Sequence, residues 1–427
     1  MIKNVTTAIL LFFSGIVFSY AWIYYPIAEK HTGDFLNQLR GGWSYARTWI
    51  YWDGKGIDIY GPWFAFLDYW IHESGVSRLT ASRMLFIFHL VLNVVSSFLL
   101  LKIFRLWDGT ALKKAIGIFL VVNFFPLIQA LKQNVVENVQ FFALVLFLIF
   151  FIQSAKRRCK ATAVALGIGI SAKTFPIILI PYLFFRRKYK IAMGALGVFA
   201  AIVMGVSWLK QVSFFEGLKG IFLFDDFLDG LNHHCNQALS GFIYRLFIQW
   251  DYSNLSSLTH PILTQEDFNL FQMARYTTVA LCMICVAWSV LPSFRKTWFL
   301  ESEKLMSLEI FILFSTLLLV LPHTQTYYFV LTLPAYLYLF NDYFSESGLK
   351  ARTILLILSY FLIGIKLPFR LLEGVFPSPV ACPYIQLTNL WNFPFYGLVI
   401  LTILLITTYR QQCHKEIYSF VVGSGGM

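Results

Sequence analysis

The residues with the most chemical potential lie far apart in the chain. His31-Thr32-Gly33-Asp34-Phe35 places a carboxylate about nine residues beyond the first apolar run. A carboxylate at that depth stays ionised at the lip of a membrane cavity, where it can take a proton from an alcohol. A solvated loop acid or a helix N-cap is the plainer reading. Lys173 stands in the apolar stretch Ser171-Ala172-Lys173-Thr174-Phe175-Pro176. A cation in such surroundings is costly and is functional by default. A lipid phosphate would stabilise it, aided by the N-terminal dipole of a helix starting at Phe175 or Pro176. A lysine snorkelling to the interface, or paired with a membrane acid such as Glu137 or Glu309, would satisfy the same charge. His323, in the polar stretch Pro322-His323-Thr324-Gln325-Thr326-Tyr327-Tyr328, suits either a substrate hydroxyl or a structural role.

Other constellations carry less. His233-His234-Cys235 lies near Asp225, Asp226 and Asp229, but the spacing matches no zinc set, so no metal is expected. Cys282-Met-Ile-Cys285 has redox-like spacing inside an apolar run and reads as a pair of lipid-facing or packed thiols; the six scattered cysteines imply no disulfide framework. Five of the twelve tryptophans (Trp43, Trp49, Trp52, Trp63 and Trp70) cluster with Tyr45, Tyr51, Tyr60 and Tyr69. Such rings suit a membrane interface, and they also stack on the C–H faces of sugars. The sequence holds no Walker A, no G-x-G-x-x-G after a strand, no G-x-S-x-G and no H-E-x-x-H.

These side chains must be positioned by membrane helices. Of 427 residues, 58% are hydrophobic and 13% charged, and the mean hydropathy is +0.66. Soluble domains carry roughly 25% charged residues. Apolar runs recur along the chain without two-residue alternation, which indicates helices and not a barrel. Twelve such segments are expected, at about 5–25, 83–104, 115–133, 138–155, 161–172, 174–185, 191–209, 274–294, 305–321, 327–341, 353–369 and 391–409. The first, lacking a small-x-small cleavage site, reads as a retained span.

Charge orients them. With the N-terminus in the cytoplasm, the inner segments hold 19 of the 34 Lys and Arg against 6 acids. The two outer loops, 26–80 and 210–273, hold 8 basic and 13 acidic residues. This is the positive-inside pattern, so the net charge of +12 points to a membrane and not to nucleic acid. The clusters Lys156-Arg157-Arg158-Cys159-Lys160 and Arg186-Arg187-Lys188-Tyr189-Lys190 are both inner, yet only 25 residues separate them. Two short helices at 161–185, turning back near Lys173, keep both on one side. Each would be roughly 18 Å long. Residues 1–427 read as one transmembrane domain without repeats.

The order of motifs resembles glycosyltransferase family 87, a GT-C family of polyprenyl-phosphate-mannose-dependent transferases. Asp34-Phe35, then Gly56-Ile57-Asp58-Ile59-Tyr60-Gly61-Pro62-Trp63-Phe64, is similar to its D-F … G-x-x-x-Y-x-P-P-x-F/L opening. The stretch through Lys173-Thr174-Phe175-Pro176 to Arg186-Arg187 resembles its L-G-x-x-x-x-x-K-x-x-P … R-R block. Asn236-Gln237-Ala238-Leu239 with Gly241 and Arg245 resembles its N-Q-S-L-x-G-x-x-x-R-L block. The resemblance runs over about 5–345. Trp63 replaces the second proline, Val136-Glu137 the usual G-Q, and Tyr327-Tyr328 the usual histidine pair.

The resemblance implies an all-α polytopic GT-C fold of about 12 hydrophobic helices, one short hairpin included, with amphipathic helices in an outer loop. It implies a multi-pass cell-membrane enzyme with its site facing the periplasm or exterior. A hexose, mannose by analogy, would pass from a polyprenyl-phosphate sugar to a hydroxyl of a lipid or glycan acceptor, with inversion. Asp34 would be the general base. Lys173, Arg245 and Arg47 would meet the donor phosphate. Trp43, Tyr60, Trp63, Asn236, Gln237, His323 and Tyr327 would contact substrate. No cofactor or metal is required, and the partners are membrane lipids and the two substrates. A transporter or lipid flippase is the alternative, followed by a non-catalytic assembly subunit.

Overall fold

The computed structural model describes residues 2–24, 73–153, 158–209, 213–215, 218, 236–247, 265–297, 300, 302–321, 324–345, 351–364 and 393–424. Every regular element among them is helical. The chain divides into two compact units, Met1–Asp226 and Phe227–Met427.

In the first unit α1 (Ile2–Val17) runs on as a π-helical stretch, Phe18–Tyr24. Then come α2 (Arg78–Ile103), α3 (Ala111–Val122), α4 (Phe125–Gln133), α5 (Glu137–Gln153) and α6 (Cys159–Ala172). A 3-10 turn (Phe175–Ile178) leads into α7 (Leu179–Phe185), followed by α8 (Tyr189–Leu209).

Helix α2 shows how this unit is built. Ser77 caps it by accepting from the Thr80 N–H at 3.2 Å. Ser82, His89, Asn93 and Ser96 are buried, whereas Met84, Ile87, Phe88, Val91, Val95 and Phe98 are exposed. The polar residues fall on one face because their spacing follows the helical repeat. That face turns inward and the apolar one outward, the reverse of a helix whose apolar stripe covers a water-soluble core.

The expected segment 115–133 is two helices. Chain direction changes by 44° between Ala111–Val122 and Phe125–Lys132. Pro126, in the first turn of α4, has no N–H to donate back into α3. Helix α4 ends on Asn134, whose φ of 54° is the left-handed cap that asparagine tolerates. Helix α6 packs between α5 and α8. A Cβ on Gly167 would lie 2.6 Å from Val198 Cβ and 2.8 Å from the Ala195 carbonyl, and one on Gly194 would lie 2.9 Å from Ala163 Cβ. Small residues thus let the two backbones approach, the usual way membrane helices gain contact.

The second unit holds α9 (Leu239–Phe247), α10 (Gln265–Thr297) and α11 (Glu303–Val320). A 3-10 stretch (Thr326–Thr332) precedes α12 (Leu333–Ser345), and α13 (Ala351–Gly364) and α14 (Phe393–Ser424) follow. Helix α11 is buried along most of its length and packs on α14. The Tyr409 hydroxyl donates to Glu309 Oε1 at 2.8 Å, so this membrane acid is engaged within its own unit. Ser359 donates to the Gly397 carbonyl at 2.7 Å and meets the Tyr336 hydroxyl at the same distance, fastening α13 to α14 and α12.

Five of these helices are long and apolar enough to cross a membrane: Asn4–Ile23, Thr80–Ile103, Tyr189–Leu209, Glu266–Thr297 and Phe393–Ser419. Counting the bent pair as one span gives six. An all-helical membrane protein follows. The expected count of about twelve hydrophobic helices does not: among the described residues only five or six are span-length, α5 and α13 fall short, and α6 and α7 are the short pair expected at 161–185.

Candidate active site

Lys173 is the C-cap of α6 and its backbone is extended, at φ −157° and ψ 140°. Its N–H donates to the Gly169 carbonyl at 3.2 Å, and its carbonyl accepts from Gln140 Nε2 at 3.0 Å. Helix α6 stops here because Pro176 has no N–H to donate to the Ala172 carbonyl and its ring crowds that carbonyl. The ammonium is buried, 5% exposed, and makes a salt bridge with Glu137 Oε1; Glu137 itself is fully buried. It also lies 5.2 Å from the centroid of the Phe175 ring. Of the two acids the sequence offered as partners, the structure selects Glu137.

Glu137 opens α5 and belongs to a strip of buried polar groups. Asn138 donates to the Ala130 and Val135 carbonyls at 2.9 and 2.7 Å, tying the start of α5 to the end of α4. Asn138 Oδ1 accepts from Asn93 at 2.7 Å. Asn134 Oδ1 meets His89 Nδ1 at 2.7 Å, and its amide donates to the Ser82 carbonyl at 3.1 Å. These bonds fix α2, α4 and α5 in register around the helix end that holds Glu137. Buried polar groups need such partners, since each unmet one costs about 1–3 kcal/mol.

In the second unit Asn236 and Gln237 form a clasp. Asn236 Oδ1 accepts from two backbone N–H groups, that of Ala238 at 3.0 Å and that of Thr324 at 3.1 Å. The Gln237 N–H donates to the Thr324 carbonyl at 2.7 Å, and Ser240 donates to the Leu321 carbonyl at 3.3 Å. Gly241 is required beside it: a Cβ there would lie 2.5 Å from the Asn236 carbonyl oxygen. The clasp joins the start of α9 to the segment after α11, next to His323 in sequence. Tyr327 is buried, with its ring edge-on to Tyr328 at 4.8 Å between centroids.

Thus the structure brings Asn236 and Gln237 onto Thr324, and sets Lys173 in the first unit against Glu137 and Gln140. Arg245 lies in α9. Asp34, Trp43, Arg47, Tyr60, Trp63 and His323 lie outside the described residues, as do most of the loops 26–80 and 210–273 and His233-His234-Cys235. Cys285 is exposed on α10 and Cys282 half-exposed; both are free thiols. Among the described residues no group of three His, Cys, Asp or Glu could hold a metal ion. Gln140 and Thr324 were not named as site residues from the sequence; Gln140 had a signal in lying one helical turn beyond Glu137, and Thr324 in following His323 in the polar stretch.

Inward polar faces, close small-residue packing and span-length helices define an integral membrane protein of the all-helical class, with a charged pair held inside one unit. The sequence model of glycosyltransferase family 87 matches residues 59–322, more than half of the chain. The chain belongs to glycosyltransferase family 87, which makes it a membrane glycosyltransferase, and the GT-C superfamily is consistent with this. Comparison with curated proteins gives no match. The matched stretch includes Tyr60, Trp63, Lys173, Asn236, Gln237 and Arg245; it begins after Asp34, Trp43 and Arg47 and ends before His323 and Tyr327.

Proposed function

We propose that this glycosyltransferase moves a hexose, with mannose the first candidate, from a polyprenyl-phosphate carrier to a hydroxyl of a lipid or glycan acceptor on the extracytoplasmic side. The observation that carries this reading is the buried ammonium of Lys173 at a helix break, in a chain of a glycosyltransferase family. A polyprenyl phosphate departs as an anion, and a cation in low dielectric stabilises that charge as it develops. The sequence has no Walker A or Rossmann motif for a nucleotide-linked donor.

Asp34 takes the proton of the acceptor hydroxyl. The acceptor oxygen bonds to the anomeric carbon while the bond from that carbon to the phosphate oxygen breaks, with inversion. The electron pair leaves on the phosphate, whose charge Lys173 meets, with Arg245 and Arg47 assisting. Trp43, Tyr60 and Trp63 stack on sugar faces, and His323, Asn236, Gln237 and Tyr327 serve the substrate pocket. The phosphate is already a good leaving group, so the reaction needs neither a strong general acid nor a metal.

The test is to incubate purified protein with labelled polyprenyl-phosphate mannose and candidate lipid or glycan acceptors. Labelled product is expected from the wild type. Asp34→Asn should insert and bind lipid phosphate normally yet lose transfer by at least about a hundredfold, the scale of a missing general base. Full activity in Asp34→Asn would remove Asp34 from the reaction. Transfer from a nucleotide sugar but not from the lipid-linked one would overturn the donor assignment.

A further inference from the structure

The Lys173–Glu137 pair is built unlike a pair selected for stability. Charges withdrawn from water are well compensated only when their remaining hydrogen-bonding capacity is also met. Among the described residues, Glu137 Oε2 is buried with no hydrogen-bond partner, and so is Oε1 of Gln140, one turn further along α5. One carboxylate oxygen engages the ammonium while the other stays unmet. The main chain of Lys173, by contrast, is held at both ends, its N–H by Gly169 and its carbonyl by Gln140. The backbone is therefore fixed while a flexible four-carbon stem carries the charge, the arrangement in which an ammonium changes partner without moving a helix. Lys173 keeps 5% of its surface and Glu137 none, so an incoming anion meets the lysine and not the acid.

We propose that Glu137 is a positioning residue: it holds Lys173 in place at the helix break and releases it to the phosphate of the lipid-linked donor. This rests on the reading of Lys173 as the phosphate-binding cation. Carboxylate and phosphate compete for one ammonium, so the resting pair sets the affinity for the donor. A weaker competitor tightens donor binding, and it also retains the phosphate product.

The experiment uses full-length protein in detergent, checked for unchanged helical content and a monodisperse elution profile, with farnesyl phosphate and inorganic phosphate as probes. Glu137→Gln should bind farnesyl phosphate about tenfold more tightly than wild type, a gain of about 1.4 kcal/mol. In transfer assays KM for the donor and kcat should both fall. Glu137→Asp, whose shorter carboxylate weakens the pair, should shift both readouts in the same direction by less, and it serves alone if the Gln variant does not fold. A purely structural role predicts the opposite sign, weaker binding. Lys173→Met should lose farnesyl phosphate binding. Unchanged or weaker binding in both Glu137 variants, with binding lost in Lys173→Met, would overturn this inference and leave the proposed function standing. Wild-type binding by Lys173→Met would overturn both roles for Lys173. Inorganic phosphate binding as tightly as farnesyl phosphate would overturn the lipid-linked ligand.

Discussion

A lysine among apolar residues announces itself in a sequence, but its partner does not. Lys173 stood out because it is the only charged residue in 161–185, and Glu137 was one of two membrane acids that could pair with it. Choosing between them needed the rotation of α5 about its axis, which does not follow from one-dimensional spacing. Asn236 is the opposite case. It read as a substrate contact, and the structure adds a load that the motif did not show: its Oδ1 receives the N–H groups of both Ala238 and Thr324. Removing it leaves two buried donors without an acceptor, at about 1–3 kcal/mol each. Asn236→Ala should therefore lower the thermal unfolding midpoint, read by a thiol-reactive or tryptophan signal, as well as lower activity. Asn236→Asp, which keeps the acceptor oxygens, should recover most of the midpoint. If Asn236 served only substrate, Asn236→Ala would unfold at the wild-type temperature.

The helices were legible from apolar runs and the break at Lys173 from the two flanking basic clusters, but the break before Pro126 was not. The run 115–133 is continuous in hydrophobicity, and only the missing N–H of Pro126 explains why it bends by 44°. The short helix α9 escaped detection because nine residues in a polar loop give too brief a periodic signal. Contact between α6 and α8 depends on Gly167 and Gly194, and Gly197, which faces open space, serves as a control. Gly167→Leu places carbon within 2.6 Å of Val198 and 2.8 Å of a backbone oxygen, whereas a Cβ at Gly197 has nothing within 4 Å. Gly167→Leu should cost about 1–3 kcal/mol, the usual penalty of overpacking. Gly197→Ala should be close to neutral. Both are measured by thermal denaturation in the same detergent, and equal destabilisation would show that α6 and α8 do not pack closely in the membrane.

For the whole chain, charge supplies the orientation and the family supplies the chemistry. The match over 59–322 runs through both compact units, so the transferase assignment does not belong to one of them. Asp34 precedes the match and lies outside the described residues. Its role rests on the motif order alone, and the substitution proposed above decides it. Sidedness can be decided separately. Lys190 is exposed, ends the basic cluster and lies in the first turn of α8. In a variant with the six native cysteines replaced by serine, Lys190→Cys should react with a membrane-impermeant maleimide in inside-out vesicles and stay unlabelled in intact cells. Labelling from outside would invert the topology and put Asp34 in the cytoplasm.

Helix α10 has 33 residues, a rod of roughly 50 Å, and the hydrocarbon layer it faces is roughly 30 Å thick. Glu266 and Asp267 occupy its first turn, Arg295 and Lys296 its last. The stretch between Arg275 and Arg295 is roughly 28 Å long and matches that layer with the rod upright. The turns before Arg275 then stand roughly 15 Å clear of the hydrocarbon on one side. The helix that gives the second unit much of its lipid-facing surface is therefore also a post, carrying Glu266 and Asp267 into the water beside the bilayer.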